Sequence, residues 1–136
     1  MSDMAHCWKI GGVTLVVDDY DRAIAYYCGV LGFEIVQDID LGGGKRWVCV
    51  GPRGAETSLL LAKATTADQE SRVGNQTGGR VFLFLHTRDF HADYQHYKSR
   101  GVVFLEEPRE EAYATVAVFQ DLYGNKWDLL QMKACE

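Results

Sequence analysis

Histidine and cysteine are the residue types best suited to bind a transition metal or to act as nucleophiles, and the sequence holds four of each. His91 and His96 are five residues apart on a predicted helix, so they do not share a face. No two cysteines form a C-x-x-C pair, and the sequence has no G-x-S-x-G elbow, phosphate-binding loop or dinucleotide fingerprint. We therefore expect the histidines to be packed or on the surface, and any functional site to come from other residues.

The composition restricts the classes of function. The chain has 136 residues, 47% apolar and 24% charged, which is enough for one compact domain (residues 1–136) and not for two. The formal net charge is −5 and the charges are scattered, which argues against a nucleic-acid partner and against binding to a membrane. Irregularly spaced cysteines and the lack of an apolar span or signal segment predict reduced thiols and a cytoplasmic location.

The elements that must position a site follow a strand, helix and three-strand order in the first half of the chain. The β-branched run 12–17 predicts a buried strand, Asp19 is suited to cap the helix that follows, and Gly32 is suited to end it. The helix gains one apolar face from Ala23, Ile24, Tyr27 and Leu31. The next predicted strands are 33–38, 46–50 and 57–62.

The second half repeats this order after a polar segment, 65–79, that we interpret as the joint between the halves. Asp89 is suited to cap the second helix and Gly101 to end it. The predicted strands of this half are 80–85, 102–105, 115–119 and 126–132. A shift of about seventy positions aligns the two capping aspartates, so the chain reads as two βαβββ modules, about 8–64 and about 80–132, joined by the linker 65–79.

Four segments carry a resemblance to a known family: VTLVVDDYDRAIAYY at 13–27, LGF at 31–33, RGV at 100–102 and DLYGNKWDLL at 121–130. The chain resembles the vicinal oxygen chelate superfamily, which includes glyoxalase I, extradiol dioxygenases and drug-binding proteins of the bleomycin-resistance type. The resemblance implies an α+β fold in which two tandem βαβββ modules form a curved, cup-like mixed sheet with helices on the outer face. It also implies a binding cavity on the concave side and a homodimer.

Enzymes of that family commonly hold a divalent metal in the cup through histidine and carboxylate side chains. In the resemblance, the two histidine positions correspond to Gly12 and Phe82, and a third ligand position falls on Ser58 or Leu60. Only the carboxylate position of the last strand is matched, by Asp128. Because one carboxylate does not make a metal site, we expect no cofactor; a divalent metal bound through Asp128 is the alternative.

Strand alternation within the implied cup predicts which side chains face a ligand. Gly12 would leave space in the cup, and the strands would add apolar and aromatic side chains. Arg80 has two interpretations: a partner of Asp128 or of a ligand carboxylate, or a solvated group at the open end of its strand. The predicted ligand-binding residues are Thr14, Arg80, Phe82, Phe84, Tyr113 and Asp128.

Two further segments have alternative interpretations. The charged run 106–113 is either a loop over the cavity, with Arg109 and Tyr113 contacting a ligand, or a solvated connection. Arg46 and Trp47 follow three glycines on a predicted strand, so one of them faces the cup and the other faces the helices.

Functions of different classes remain open. The first is a binding or sequestration protein that holds a small organic molecule in the cup without the family's metal. The second is a metal-dependent glyoxalase-like lyase or ring-cleaving dioxygenase, and the sequence does not decide whether the protein is catalytic. A third is a subunit whose cavity has closed.

Overall fold

The computed structural model describes residues 7–134, and the elements of its two halves follow the predicted order with one additional two-residue strand, Arg109–Glu110, in the second half. His6 and Cys135 lie outside the described residues. Module one contains β1 (Gly12–Val17), α1 (Tyr20–Tyr27), β2 (Glu34–Gly42), β3 (Lys45–Gly51) and β4 (Ser58–Lys63). After α2 (Ala67–Glu70), module two contains β5 (Val81–His86), α3 (Phe90–Ser99), β6 (Val103–Phe104), β7 (Arg109–Glu110), β8 (Ala114–Gln120) and β9 (Lys126–Met132). The α+β class is confirmed.

The strands form two mixed sheets. The strand order is β1-β4-β3-β2 in the first sheet and β5-β9-β8-β6 in the second, where β7 also pairs with β8. In each module the first strand is parallel to the last, and the other pairs are antiparallel. The strands expected in one curved sheet are therefore divided between two sheets, one in each module. None of the helices within residues 7–134 is long and apolar enough to cross a membrane.

The predicted helix caps are largely as expected. The side chain of Asp19 accepts a hydrogen bond of 2.8 Å from the backbone N–H of Arg22 at the start of α1, and Asp89 caps α3 in the same way. Gly101 has a φ of 90° and ends α3 in a Schellman motif. Helix α1 ends earlier than predicted, at Tyr27, and its last residues continue as turns before Gly32.

The helix-facing sides of both sheets share one hydrophobic core. Leu15 and Val17 of β1 and Trp127 and Leu129 of β9 belong to the same buried cluster. The ring centroids of Tyr27 and Trp127 are 6.2 Å apart, which places an aromatic contact on the boundary between the modules. Because alternate residues of each strand enter this core, the remaining side chains of the strands face outward and are available to form a site.

The linker 65–79 is more structured than the sequence suggests, because it contains α2 and contacts both modules. Gln76 donates a side-chain hydrogen bond of 3.1 Å to the backbone carbonyl of Val16 on β1. The backbone of Gly74 lies against Tyr123, and a Cβ at Gly74 would stand 2.0 Å from the Tyr123 carbonyl oxygen. The linker therefore lies between the edge of β1 and the turn that connects β8 to β9.

Candidate functional site

A cavity of about 890 Å³ lies beside the first sheet, and we call it the module-one cavity. Leu15 and Val17 point into the core, so the alternate residues Thr14 and Val16 point to the other face of β1 and line the cavity. The full lining comprises Thr14, Val16, Tyr20, Leu41, Gly43, Gly44, Lys45, Arg46, Trp47, Leu60, Leu61, Ala62, Lys63, Thr65 and Gln69. Its volume is within the range of small-molecule sites.

Trp47 gives the cavity an aromatic wall. On the same strand, the side chains of Val48 and Val50 are fully buried in the core. Trp47 points to the other face of the strand, lines the cavity and is 41% exposed. The indole Nε1 donates a hydrogen bond of 2.8 Å to Oε1 of Gln37 on the neighbouring strand. Because that bond fixes the orientation of the ring, its exposed surface is preorganised to contact an apolar ligand.

Arg46 is on the opposite face of β3 from Trp47, as the alternation of the strand requires. Its guanidinium forms ion pairs with Asp21 at 2.9 Å and with Asp38 at 2.8 Å, and lies over the ring of Tyr20. The hydrogen bond from Arg46 lowers the pKa of Asp38. This network connects β3 to β2 and to the first turn of α1, and it holds the sheet that forms the cavity against its helix.

The second sheet presents a group of charged residues on its outward face, which we call the Asp128 cluster: Glu106, Arg109, Glu111 and Asp128. Arg109 donates to Glu106 at 2.9 Å and also forms an ion pair with Glu111. Glu106 in turn accepts a hydrogen bond of 3.0 Å from the backbone N–H of Val118, the residue opposite Asp128. One guanidinium is thus surrounded by three carboxyl groups.

Within residues 7–134, Oδ1 of Asp128 is the one buried side-chain nitrogen or oxygen atom that has no hydrogen-bond partner. Burial raises the pKa of its carboxyl group; nearby Arg109 opposes that shift, whereas Glu106 adds to it. Burial makes the charged form of this carboxyl group less favourable than it is in water, and a donor brought by a ligand would satisfy the unpaired oxygen.

The sequence profile of the Glyoxalase/Bleomycin resistance protein/Dioxygenase superfamily matches residues 9–129. The chain belongs to this superfamily. An uncharacterized protein of Shewanella frigidimarina (strain NCIMB 400) is 51% identical over 88% of this chain and 90% of its own length. YetH, an uncharacterized protein of Bacillus subtilis (strain 168), is 30% identical over 86% of this chain and 92% of its own length.

Two solved structures are similar to this chain in fold. TnmS3, an antibiotic binding protein from Streptomyces sp. CB03234, has a TM-score of 0.75 and 28% identity, over 94% of this chain and 98% of its own. A superfamily member from Sphaerobacter thermophilus DSM 20745 has a TM-score of 0.72 and 28% identity, over 91% of this chain and 97% of its own.

The structure distributes the six predicted ligand-binding residues between the two sheets. Thr14 lines the module-one cavity. Phe84 lies beside Asp128 on the second sheet and is 59% exposed, whereas Phe82 is partly buried against the core. Tyr113 is 54% exposed and precedes β8. Of the six predicted residues, Thr14 is the one that lines the module-one cavity.

Arg80 is not placed as the partner of Asp128. It is an exposed residue just before β5, and no ion pair described within residues 7–134 includes it. The positive charge that acts on Asp128 comes from Arg109 on β7. The interpretation of Arg80 as a solvated group at the strand's open end agrees with its exposure.

The residues at the superfamily's metal positions do not fit a divalent ion. Gly12 has no donor side chain and pairs with Ser58 in the strand register, and Phe82 offers a ring where an imidazole is needed. Across residues 7–134 no group of three or more His, Cys, Asp or Glu side chains is arranged to hold a metal. Asp128 would be left to bind an ion alone, beside the guanidinium of Arg109.

Several lining residues were not among the predicted ones. Thr65 and Gln69 come from the linker, which the sequence marked only as polar. The sequence allows Trp47 to face either the cup or the helices. The fully buried Val48 beside it decides between these orientations, because neighbours on a strand point to opposite faces.

Proposed function

We propose that this protein binds a small organic molecule in the module-one cavity and does so without the superfamily's metal site. The observation that carries the proposal is the cavity itself: about 890 Å³, with Val16, Leu60 and Ala62 along its strands and Trp47 as an aromatic wall. Concave, largely apolar sites with a few polar groups are the usual form of small-molecule sites. Thr14 and Gln69 supply neutral polar groups at the lining.

The superfamily relationship supports the class of ligand. TnmS3 is an antibiotic binding protein that resembles this chain over 94% of its length. We extend to this chain only the general property, an organic molecule large enough to occupy the cavity and apolar enough to contact Trp47. Sequestration requires no catalytic group, and the lining contains no histidine and no carboxylate.

The binding proposal is tested by a thermal-shift screen of aromatic and polycyclic compounds, followed by calorimetry on those that stabilise the protein. The variant Trp47→Ala is expected to weaken binding at least tenfold, because the ring supplies much of the apolar contact. Trp8→Ala is the matched control, since Trp8 is 84% exposed and does not line the cavity. Equal loss of affinity in both variants would contradict the assignment of the cavity.

The metal-free part of the proposal has a separate test. The melting temperature is expected to stay the same after dialysis against a chelator and after addition of Zn²⁺, Ni²⁺, Mn²⁺ or Fe²⁺, because Asp128 alone does not make a binding site. Stabilisation by a stoichiometric metal that disappears in Asp128→Asn would replace this proposal with the metal-dependent lyase or dioxygenase.

We also propose that the protein is a homodimer. Strand β2 is at the edge of its sheet, all nine of its residues are exposed, and they include the adjacent apolar Ile35 and Val36. Apolar edge strands favour association with another chain, and a second copy is the partner that the superfamily resemblance implies. Light scattering is expected to give the mass of a dimer for the native chain and of a monomer for Val36→Lys. The control Val103→Lys, on the other sheet, should remain dimeric. A monomeric native chain would contradict the proposal.

We also propose a cytoplasmic location; unpaired Cys28 and Cys49 support it, because thiols stay reduced in a cell interior. Cell fractionation with an antibody to the protein tests the location, and recovery in an extracytoplasmic fraction would overturn it.

A further inference from the structure

The charged residues that line the module-one cavity are all basic. They are Lys45, Arg46 and Lys63, and no aspartate or glutamate stands among the lining residues that the structure describes. This contrasts with the chain as a whole, which has a formal net charge of −5. The charged side chains of the cavity are therefore opposite in sign to the net charge of the protein.

The charge of Arg46 is already balanced within the protein. It is held by Asp21 at 2.9 Å and by Asp38 at 2.8 Å, and these contacts fix its guanidinium towards α1 and β2. A ligand would have to compete with both carboxylates for it. Arg46 consequently supports the wall of the cavity and does not select the ligand's charge.

The two lysines differ from Arg46 because neither is part of any ion pair described within residues 7–134. Lys45 is two residues before Trp47 on β3, so the two side chains leave the strand on the same face. A cation beside an apolar wall interacts with an anion more strongly than in open water, because the wall reduces the local screening.

Building on the proposed function, we propose that the ligand is an aromatic organic anion, with its ring system on Trp47 and its carboxylate at Lys45. Lys63 adds a second positive charge to the lining. The Asp128 cluster on the other sheet disfavours such an anion, because three carboxyl groups there surround the single guanidinium of Arg109. The surroundings of Lys45 and of Asp128 thus differ in the sign of their charge.

The experiment compares three probes of nearly equal shape: 2-naphthoate, the neutral 2-naphthamide and the cationic 2-naphthylmethylamine. Calorimetry at pH 7.5 and low salt is expected to show 2-naphthoate binding about fivefold more tightly than the amide, the effect of one partly solvated ion pair. The amine is expected to bind more weakly than the amide. Added salt should reduce the preference for the anion.

The variant Lys45→Gln should lower the affinity for 2-naphthoate about fivefold, more than it changes the affinity for 2-naphthamide, and so remove the preference for the anion. Lys126→Gln is the matched control, because Lys126 is exposed at the start of β9 and outside the cavity. Equal affinities for the three probes in the native protein would overturn the anion assignment and leave the binding function standing. Failure of all three probes to bind would overturn the proposed cavity function as well.

Discussion

The hydroxyl group of Tyr27 in module one donates a hydrogen bond of 2.6 Å to Oδ2 of Asp121 in module two. The same oxygen accepts the indole N–H of Trp127 at 3.0 Å and the side-chain amide of Asn125 at 3.2 Å. Asp121 is only 4% exposed, so this carboxylate has exchanged water for donors from both modules. The pair therefore fixes the relative position of the two sheets.

Tyr27→Phe is expected to lower the free energy of unfolding by about 1–3 kcal/mol, because the buried carboxylate of Asp121 loses one donor and water does not replace it. Burial and the adjacent Asp121 raise the pKa of Tyr27 well above its usual value, so the hydroxyl remains a donor at all ordinary pH values. Urea denaturation measures the loss. Tyr26→Phe is the control, since no hydrogen bond of the Tyr26 hydroxyl is described within residues 7–134. A similar loss of unfolding free energy in both variants would contradict the role of the Tyr27–Asp121 pair.

Gly74→Ala is expected to be severely destabilising or to displace the linker. The φ of Gly74 is 78°, which costs an alanine about 1–2 kcal/mol, and the added Cβ would clash with the Tyr123 carbonyl oxygen at 2.0 Å. Gly78→Ala separates the two effects, because Gly78 also has a positive φ, of 68°, but has open space around the position of a Cβ. Thermal unfolding of both variants should show the larger loss at Gly74, and equal losses would rule out the contact with Tyr123.

Asp128→Asn is expected to stabilise the protein at neutral pH. The folded-state pKa of Asp128 is raised by burial, so ionising the carboxyl group costs stability as the pH rises from its unfolded pKa, about 3.9, through its folded pKa. Asparagine removes that cost, and the two proteins should converge in stability below about pH 4. Denaturant unfolding at several pH values measures the difference.

The control for that prediction is Glu110→Gln, which should have the opposite sign. The hydroxyl of Thr115 lowers the pKa of Glu110, so its stabilising effect is present above its unfolded pKa and is lost as the pH falls through its folded pKa. The glutamine variant is therefore expected to be less stable at neutral pH. A gap between native protein and Asp128→Asn that does not change with pH would disprove the account of Asp128.

Gln76→Ala is expected to loosen the edge of β1 and cost about 1 kcal/mol. Its side-chain amide donates to the carbonyl oxygen of Val16 at 3.1 Å and to that of Arg72 at 2.8 Å, and so joins the linker to an edge strand. Hydrogen exchange should become faster in the peptide that contains β1 and stay unchanged in the peptide that contains β9. Equal acceleration in both peptides would indicate global destabilisation and contradict a local role.

Much of the local structure could be predicted from the sequence. Strand 126–132 and strand 12–17 have the predicted bounds, and Asp19 and Asp89 are the N-caps of the two long helices. These predictions depend on strand alternation and on side chains that bond to their own backbone neighbours, so the information is contained within a few residues.

The position of Arg109 could not be predicted in the same way. It lies on β7, a strand of two residues in a charged run, and is brought towards Asp128 because β7 pairs with β8 and β8 pairs with β9. Arg80 is the more apparent partner in the sequence, since it begins a predicted strand of the cup. The pairing of three strands, and not the pattern of any one of them, decides which guanidinium lies near enough to influence the carboxyl group.

By itself the sequence determined the two βαβββ modules, the superfamily and the poor match of Gly12 and Phe82 to a metal site, because residue type and short-range spacing are enough for each. Only the tertiary structure decided that the cavity borders the first sheet, that Lys45 and Trp47 share its wall, and that Asp121 joins the modules. Those relationships depend on strand register and on contacts between residues as far apart as 94 positions, where burial and hydrogen bonding select the partners.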